Sequence, residues 1–376
     1  MQRLAHDLDR LKSASRYRSL SLPRGVDFTS NDYLGLAGHP ALRQAVMDAL
    51  AEDALAGAAG SRLLRGHLRQ HAELEDFAAR FFRAERALYF STGFLANFAL
   101  FTTLPHRHDA VVFDEFVHAS VKEGVHAGLA ARFKARHNDV DAFADAVRRA
   151  RRAGARDVWL AVESVYSMDG DVAPVAELHA LAHDLDAMLI VDEAHASGIF
   201  GATGRGFTED RYDDRLITLH TCGKGLGVAG GLLVGPALVM DYMINAARPF
   251  IYSTAPPPYV AAAVRRALEL VDAEPWRRRR LLELATHAAS ALAKTTGRAA
   301  STGSTQIIPV ILGADATAVS AAEALQRAGF DVRAIRPPTV PVGTARLRIS
   351  IGLDRSEGEI TALADALAGV LQKAIA

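Results

Sequence analysis

Short, unbroken apolar runs at Ala110–Phe113, Val158–Val162, Met188–Val191, Leu216–Leu219 and Gly230–Val234, interleaved with segments of helical period, constrain this chain more than any other feature. Runs of this length and aliphatic content read as strands buried on both faces. Strands that alternate with helices build a mostly parallel sheet covered on both sides. The periodicity predicts helices over Pro40–Leu55, His71–Phe82, Phe94–Leu104, Phe116–Ala130 and Val172–Asp186, the last entered through Pro174. Arg86–Phe90 reads as a further strand, joined to its helix by the turn Ser91-Thr92-Gly93.

The 376 residues suffice for two domains. Pro256-Pro257-Pro258 breaks the pattern and opens a long helical stretch, Tyr259–Leu292. Strands near Thr305–Leu312, Phe330–Ile335 and Ala345–Ile351 follow, with helices over Ala316–Arg327 and from Gly358 onward. The expected organisation is α/β: an N-terminal arm, residues 1–39, packing on the small domain; a large domain, 40–255; and a smaller α+β C-terminal domain, 256–376.

Charge excludes some functions. Lys+Arg and Asp+Glu each number 43, so no net field draws the chain to nucleic acid or to an anionic membrane. The arginine clusters at Arg148–Arg152 and Arg277–Arg280 stand among acidic residues and read as solvated helix faces. Cys222 is the one cysteine, which rules out an intrachain disulfide, fits a reducing cytoplasm and reads as a small packed residue. Residues Met1–Lys12 lack the apolar core of a secretory signal, and no run approaches the ~20 apolar residues of a membrane helix.

In parallel sheets, ligands gather at the carboxyl ends of strands, and there the sequence places Glu163, Asp192, Thr221 and Lys224. Lys224 sits among glycines in Thr221-Cys222-Gly223-Lys224-Gly225-Leu226-Gly227, and upstream stands Asp192-Glu193-Ala194-His195. A lysine whose amine can reach a carbonyl, an acid that can hold a pyridine nitrogen protonated, and a nearby histidine are what a pyridoxal phosphate (PLP) enzyme requires. Asp192 follows a buried run, and a buried carboxylate needs a partner. Asp-Glu-Ala-His also occurs in helicases, but Gly223-Lys224 lacks the spacing of a phosphate loop. Ser91-Thr92-Gly93-Phe94 opens a helix whose free amides suit a phosphate, and Thr221, Ser253 and Thr254 could add hydroxyls. His118, at a helix start, could stack on the pyridine or cap the helix. With no H-E-x-x-H motif and no cysteine pair, no metal site is expected.

Six ordered motifs, covering the chain from about Ser30 to its C-terminus, resemble the α-oxoamine synthases, PLP enzymes of the aspartate-aminotransferase fold (fold type I). They are Ser30–Leu36, Glu163–Asp171, Asp192–His195, Thr221–Gly227, Ile251–Thr254 and Arg336–Pro341 leading to Arg346-Leu347-Arg348. The resemblance implies a cytoplasmic homodimer with its active site at the subunit interface. It implies Lys224 as the Schiff-base lysine and acid/base, Asp192 on the pyridine nitrogen, His195 on the phenolic oxygen and His118 stacked on the ring. Ser167 would lie near the cofactor, Gly93, Phe94 and Thr221 near its phosphate, and Ser253 and Thr254 would serve the phosphate, Thr254 from the second subunit. Arg348 would hold the amino-acid carboxylate, Asn31 and Glu163 would line the substrate side, and Arg16 and Thr339 would belong to the substrate site. The arm before Asn31 is shorter than the family's, and Ala196-Ser197-Gly198 is a variant of its small-residue run. Within the resemblance, Arg336–Pro341 and Thr221–Gly225 favour condensation of L-alanine with a pimeloyl thioester, of coenzyme A or a carrier protein, as in biotin synthesis. The alternatives are synthases that use glycine or serine, and a non-catalytic PLP-fold binding protein.

Overall fold

Seven strands form the principal sheet, in the order Arg86–Phe90, Gly231–Gly235, Leu216–Thr221, Met188–Asp192, Val158–Glu163, Ala110–Asp114, Ala131–Ala135. The last five are mutually parallel, and Gly231–Gly235 runs antiparallel to both its neighbours. The computed structural model describes residues 1–52, 55–297 and 305–375.

Successive side chains of a strand point to opposite faces, which explains the unbroken apolar runs. Ile190 packs on one face with Leu100, Phe113, Ile217 and Leu219. Its neighbours Leu189 and Val191 pack on the other with Phe143, Leu160, Val162 and Leu178. Burying some two dozen aliphatic and aromatic side chains on each face, at roughly 1.5–3 kcal/mol apiece, fixes the register. That register sets Glu163 beside Asp192 at the carboxyl ends of adjacent strands.

Several boundaries move from their expected places. The first helix ends at Glu52, and Asp53 and Ala54, within its expected span, lie outside the described residues. Phe116–Ala130 holds a shorter helix, Ala119–Ala127, followed by the unforeseen strand Ala131–Ala135. That strand is at the sheet edge and mostly exposed, with Arg132 and Lys134, so it carries charge where a buried strand carries aliphatics. The stretch Tyr259–Leu292 is two helices, Pro258–Ala273 and Trp276–Thr296, because Pro275 cannot continue the first. Helices Gln2–Ser13, Ala237–Ala246 and Arg248–Ile251 lie in stretches that periodicity left unassigned, and the helix face expected at Arg148–Arg152 belongs to helix Val140–Arg152.

By compactness the chain divides into a larger unit, Leu34–Ser167 with Val172–Arg278, and a smaller one, Met1–Tyr33 with Met168–Asp171 and Arg279–Ala376. The division differs from the expected boundaries at 39 and 255. Helix Pro258–Ala273 belongs to the larger unit because its face of Ala261, Val264 and Leu268 packs against helices Pro40–Glu52 and Arg69–Phe82.

The smaller unit has an antiparallel sheet in the order Arg333–Ile335, Ala345–Ser350, Ile307–Gly313. Val26–Asp27, from the N-terminal segment, pairs with Phe330–Asp331, so the expected Phe330–Ile335 strand is split between two sheets. The four-residue excursion Met168–Asp171 is integral to this unit. Buried Arg346 forms an ion pair with Asp169 and donates to the Met168 carbonyl at 3.3 Å. Thr305 Oγ1 donates to the Gly170 carbonyl at 2.6 Å. Gly170 has φ +69°, and a Cβ there would stand 2.0 Å from the Ile307 carbonyl oxygen, so only glycine fits.

In the larger unit, fully buried His220 stacks on Phe82 with ring centroids 3.7 Å apart. Its ring nitrogens meet Ser197 Oγ and Thr218 Oγ1, each at 2.9 Å. Burial lowers its pKa from 6.5 to about 3. Below pH 6.5 the unfolded chain takes up a proton that the folded ring refuses. The stability tied to His220 is therefore complete above pH 6.5 and lost as pH falls toward 3. From pH 6.5 to 5 this amounts to on the order of 2 kcal/mol, at about 1.4 kcal/mol per pH unit. Thermal melts at pH 7 and pH 5 should show a larger drop for the wild type than for His220→Gln; equal drops would contradict this account.

Candidate active site

The centre of the larger unit's site is a buried carboxylate. Asp192 ends its strand with Oδ2 accepting from Asn97 Nδ2 at 2.8 Å and Oδ1 accepting from the Ala194 N–H at 2.9 Å. Asn97 lies one turn into helix Gly93–Thr103, where it is the one polar side chain in an otherwise apolar stretch from Gly93 to Phe101. Its Nδ2 also reaches Ser120 Oγ at 2.9 Å, and Ser120 Oγ lies 2.8 Å from His118 Nδ1. His118 caps helix Ala119–Ala127, its Nδ1 accepting from the Ser120 N–H at 3.2 Å. With Nδ1 an acceptor, the neutral ring carries its proton on Nε2. Burial holds the His118 pKa below its usual value, against the pull of Asp192.

Lys224 Nζ lies 2.8 Å from His195 Nε2. His195 is buried three residues after Asp192, and Lys224 follows the end of the adjacent Leu216–Thr221 strand. The parallel register thus brings the expected lysine, aspartate and histidine to one end of the sheet.

Glu163, beside Asp192, is 2 % exposed. One oxygen accepts from the Ser167 N–H at 3.1 Å and the other, Oε1, has no partner. Burial first, and the Asp192 charge second, raise its pKa to about 8. Ser167 meets this group through its backbone amide.

At the start of helix Gly93–Thr103, Thr92 accepts from the Leu95 N–H at 3.0 Å, leaving the Gly93 and Phe94 amides to open the helix. A Cβ on Gly93 would stand 2.3 Å from Thr221 Oγ1, so the absence of a side chain is what makes a cradle here. Amides at a helix start, a hydroxyl and the neighbouring Lys224 fit a phosphate and its aldehyde-bearing ring. Asp192 is a buried carboxylate of the kind that a protonated ring nitrogen would pair with. The donor set therefore fits PLP. Thr254 pairs with Ser61 in an isolated bridge and is exposed; Ser253 beside it is half-buried.

The smaller unit has its own polar centre. Arg348, 7 % exposed, donates to Ser350 Oγ at 2.7 Å and to Asn31 Oδ1 and Tyr33 Oη, each at 3.1 Å. Tyr33 in turn donates to Asn31 Oδ1 at 2.8 Å, and burial raises its phenol pKa. These contacts hold the guanidinium in one orientation. Arg16, by contrast, is paired with Asp315 at 2.6 Å, and exposed Thr339 accepts from Arg18 at 3.4 Å.

Asn97, Ser120 and Ser350 have no role in the sequence reading, and Tyr33 stands there only inside the Ser30–Leu36 motif, with no role of its own. Asn97 alone left a legible sign, as a lone amide in an apolar helix. Ser120 is tied to His118 only through folding, and Tyr33 and Ser350 become partners of Arg348 only when distant segments pair.

A family profile described as "Aminotransferase class I and II" matches residues 23–367. An 8-amino-7-oxononanoate synthase of Chromobacterium violaceum is 40% identical over 371 residues, covering 96% of this chain and 95% of that protein. The enzyme of the same name from Anaeromyxobacter dehalogenans is 40% identical, covering 92% and 86%. A solved serine palmitoyltransferase from S. paucimobilis with a bound PLP–myriocin aldimine superimposes with a TM-score of 0.89 at 27% identity, covering 98% of this chain and 97% of that one. The crystal structure of 8-amino-7-oxononanoate synthase from Francisella tularensis gives a TM-score of 0.79 at 25% identity, covering 94% and 99%. The profile match, the near full-length relatives and the lysine, aspartate and histidine gathered at the sheet's carboxyl end together place the chain in the PLP-dependent class I and II aminotransferase family of fold type I, among its α-oxoamine synthases.

Proposed function

We propose that the protein condenses L-alanine with a pimeloyl thioester, of coenzyme A or of a carrier protein, to give 8-amino-7-oxononanoate, carbon dioxide and the free thiol, as a step of biotin synthesis. The observation that carries this reading is the Lys224–His195 pair beside buried Asp192, in a chain 40% identical over nearly its whole length to enzymes of that name.

Bound PLP supplies an electron sink for the charge left at the α-carbon of the amino acid. The chain's residues do the rest. Asp192, aimed by Asn97 and the Ala194 amide, keeps the ring nitrogen protonated. His195 serves the phenolic oxygen, and neutral His118 offers its ring as a stacking face. Gly93, Phe94 and Thr221 hold the phosphate, with Ser253 and Thr254, the latter from a second subunit, and Ser167 lines the cofactor. Lys224 would anchor the cofactor through its amine, and its Nζ would take the α-proton of alanine and later return one. Arg348, fixed by Asn31, Tyr33 and Ser350, grips the alanine carboxylate through a two-pronged fork. Glu163 holds its proton at neutral pH and lines the substrate side with Asn31 as a hydrogen-bond donor. Arg16 and Thr339 serve the acyl substrate.

Leu63, Leu64 and Tyr252 are half or more exposed, consistent with a homodimer that covers them. No described helix is long and apolar enough to cross a membrane, and we assign the enzyme to the cytoplasm.

Thiol release from pimeloyl-CoA by the PLP-loaded protein, with L-alanine, glycine and L-serine in parallel, tests the reading. Release with alanine at least tenfold faster than with the others is expected, and Lys224→Ala should lower it by about 10³-fold or more while abolishing the lysine-dependent absorption of bound PLP. Preference for serine or glycine would reassign the substrate within the family. Asn97→Ala removes one donor from a buried charge and should weaken PLP retention about tenfold, the equivalent of about 1.4 kcal/mol, read by equilibrium dialysis. Light scattering should give about twice the chain mass of 40.3 kDa; a monomer that turns over at full rate would remove Thr254 from the site.

A further inference from the structure

The last turns of helix Val175–Asp184 carry two histidines four residues apart, His179 and His183, on one face. Their Nε2 atoms lie 2.9 and 2.7 Å from the same oxygen, Oδ2 of Asp213. All three donor atoms fall within 4.8 Å of one another. Asp213 is held in place from its other side, where Oδ1 accepts the Arg215 N–H at 2.9 Å. His179 Nε2 is buried, and its close approach to Asp213 lacks the alignment of a hydrogen bond. Two imidazole nitrogens converging on one carboxylate oxygen put three potential ligand atoms together, close enough to share one cation.

We propose that His179, His183 and Asp213 bind one divalent transition-metal ion, zinc in kind, with water in the fourth position. Two imidazoles and one carboxylate match zinc's preferred donors, at about 2.0–2.2 Å after small rotamer adjustments. Magnesium and calcium want several oxygens, and this site offers a single carboxylate. His183 is 44% exposed, which opens the fourth position to solvent and gives the ion an entry path. The Arg215 amide plays the supporting role that hydrogen bonds to metal-binding carboxylates usually play. The ion ties the end of the helix to the connection that enters strand Leu216–Thr221, so its role is structural and separate from the Lys224 site. No local motif marks this group, because Asp213 stands 30 residues from His183 and meets it only in the fold.

The PLP-loaded, full-length protein, stripped of metal with chelator, is titrated with zinc sulfate by calorimetry. One equivalent should bind per chain, and the melting midpoint should rise, since an ion that binds only the folded state stabilises it. His183→Gln and Asp213→Asn should each weaken zinc binding about tenfold or more and abolish the midpoint rise. Both replacements are polar and near-isosteric at partly exposed positions, and circular dichroism verifies their folds. Magnesium chloride should give no saturable heat. Absence of saturable zinc binding, or binding unchanged in both variants, would overturn the site and leave an ion pair of two imidazoles with Asp213.

Discussion

A carboxylate taken out of water must be compensated, and the site of this protein is organised around that requirement at Asp192. The sheet buries it at the end of a parallel strand. A helix delivers Asn97 to one oxygen, and the turn that follows delivers the Ala194 amide to the other. Each of these donors has a second task. Asn97 also orders Ser120, which orders His118, and the Ala194 turn leads on to His195 and hence to Lys224. Displacing the carboxylate would therefore loosen both histidines and the lysine together.

Glu163 makes the same point by contrast. It stands beside Asp192 in register, but receives one amide and leaves an oxygen unpartnered. Each carboxylate accepts one backbone amide, and what separates them is the second donor, the Asn97 side chain, that Asp192 alone receives. Asp192 has both oxygens bonded to donors, whereas burial drives Glu163 to keep its proton.

Legibility in the sequence followed burial. The central strands were readable because they are buried on both faces and show it as unbroken aliphatic runs. Strand Ala131–Ala135 was not, because an edge strand with Arg132 and Lys134 looks like any polar segment. Lys224, Asp192 and His195 could be found because strand ends and flanking glycines mark them locally. Asn97 and Ser120 act through contacts between separate helices, and the Arg348 group assembles from residues some 315 positions apart. No local pattern encodes such pairings. The compact units follow packing for a related reason: a proline run precedes helix Pro258–Ala273, yet the helix's apolar face belongs with helices at the start of the larger unit.

The excursion Met168–Asp171 has a consequence for how the chain can be cut and how it is made. The smaller unit is closed by four residues synthesised more than a hundred positions before its own sheet, with Asp169 answering the buried charge of Arg346 and the Gly170 carbonyl receiving Thr305. A fragment beginning at Arg279 would leave that guanidinium buried without its carboxylate, a loss that typically costs several kcal/mol. The segment from Arg279 onward is thus not a portable module. On the ribosome, the larger unit's strands can pair as they emerge, while the residues 168–171 loop waits for a partner that arrives last.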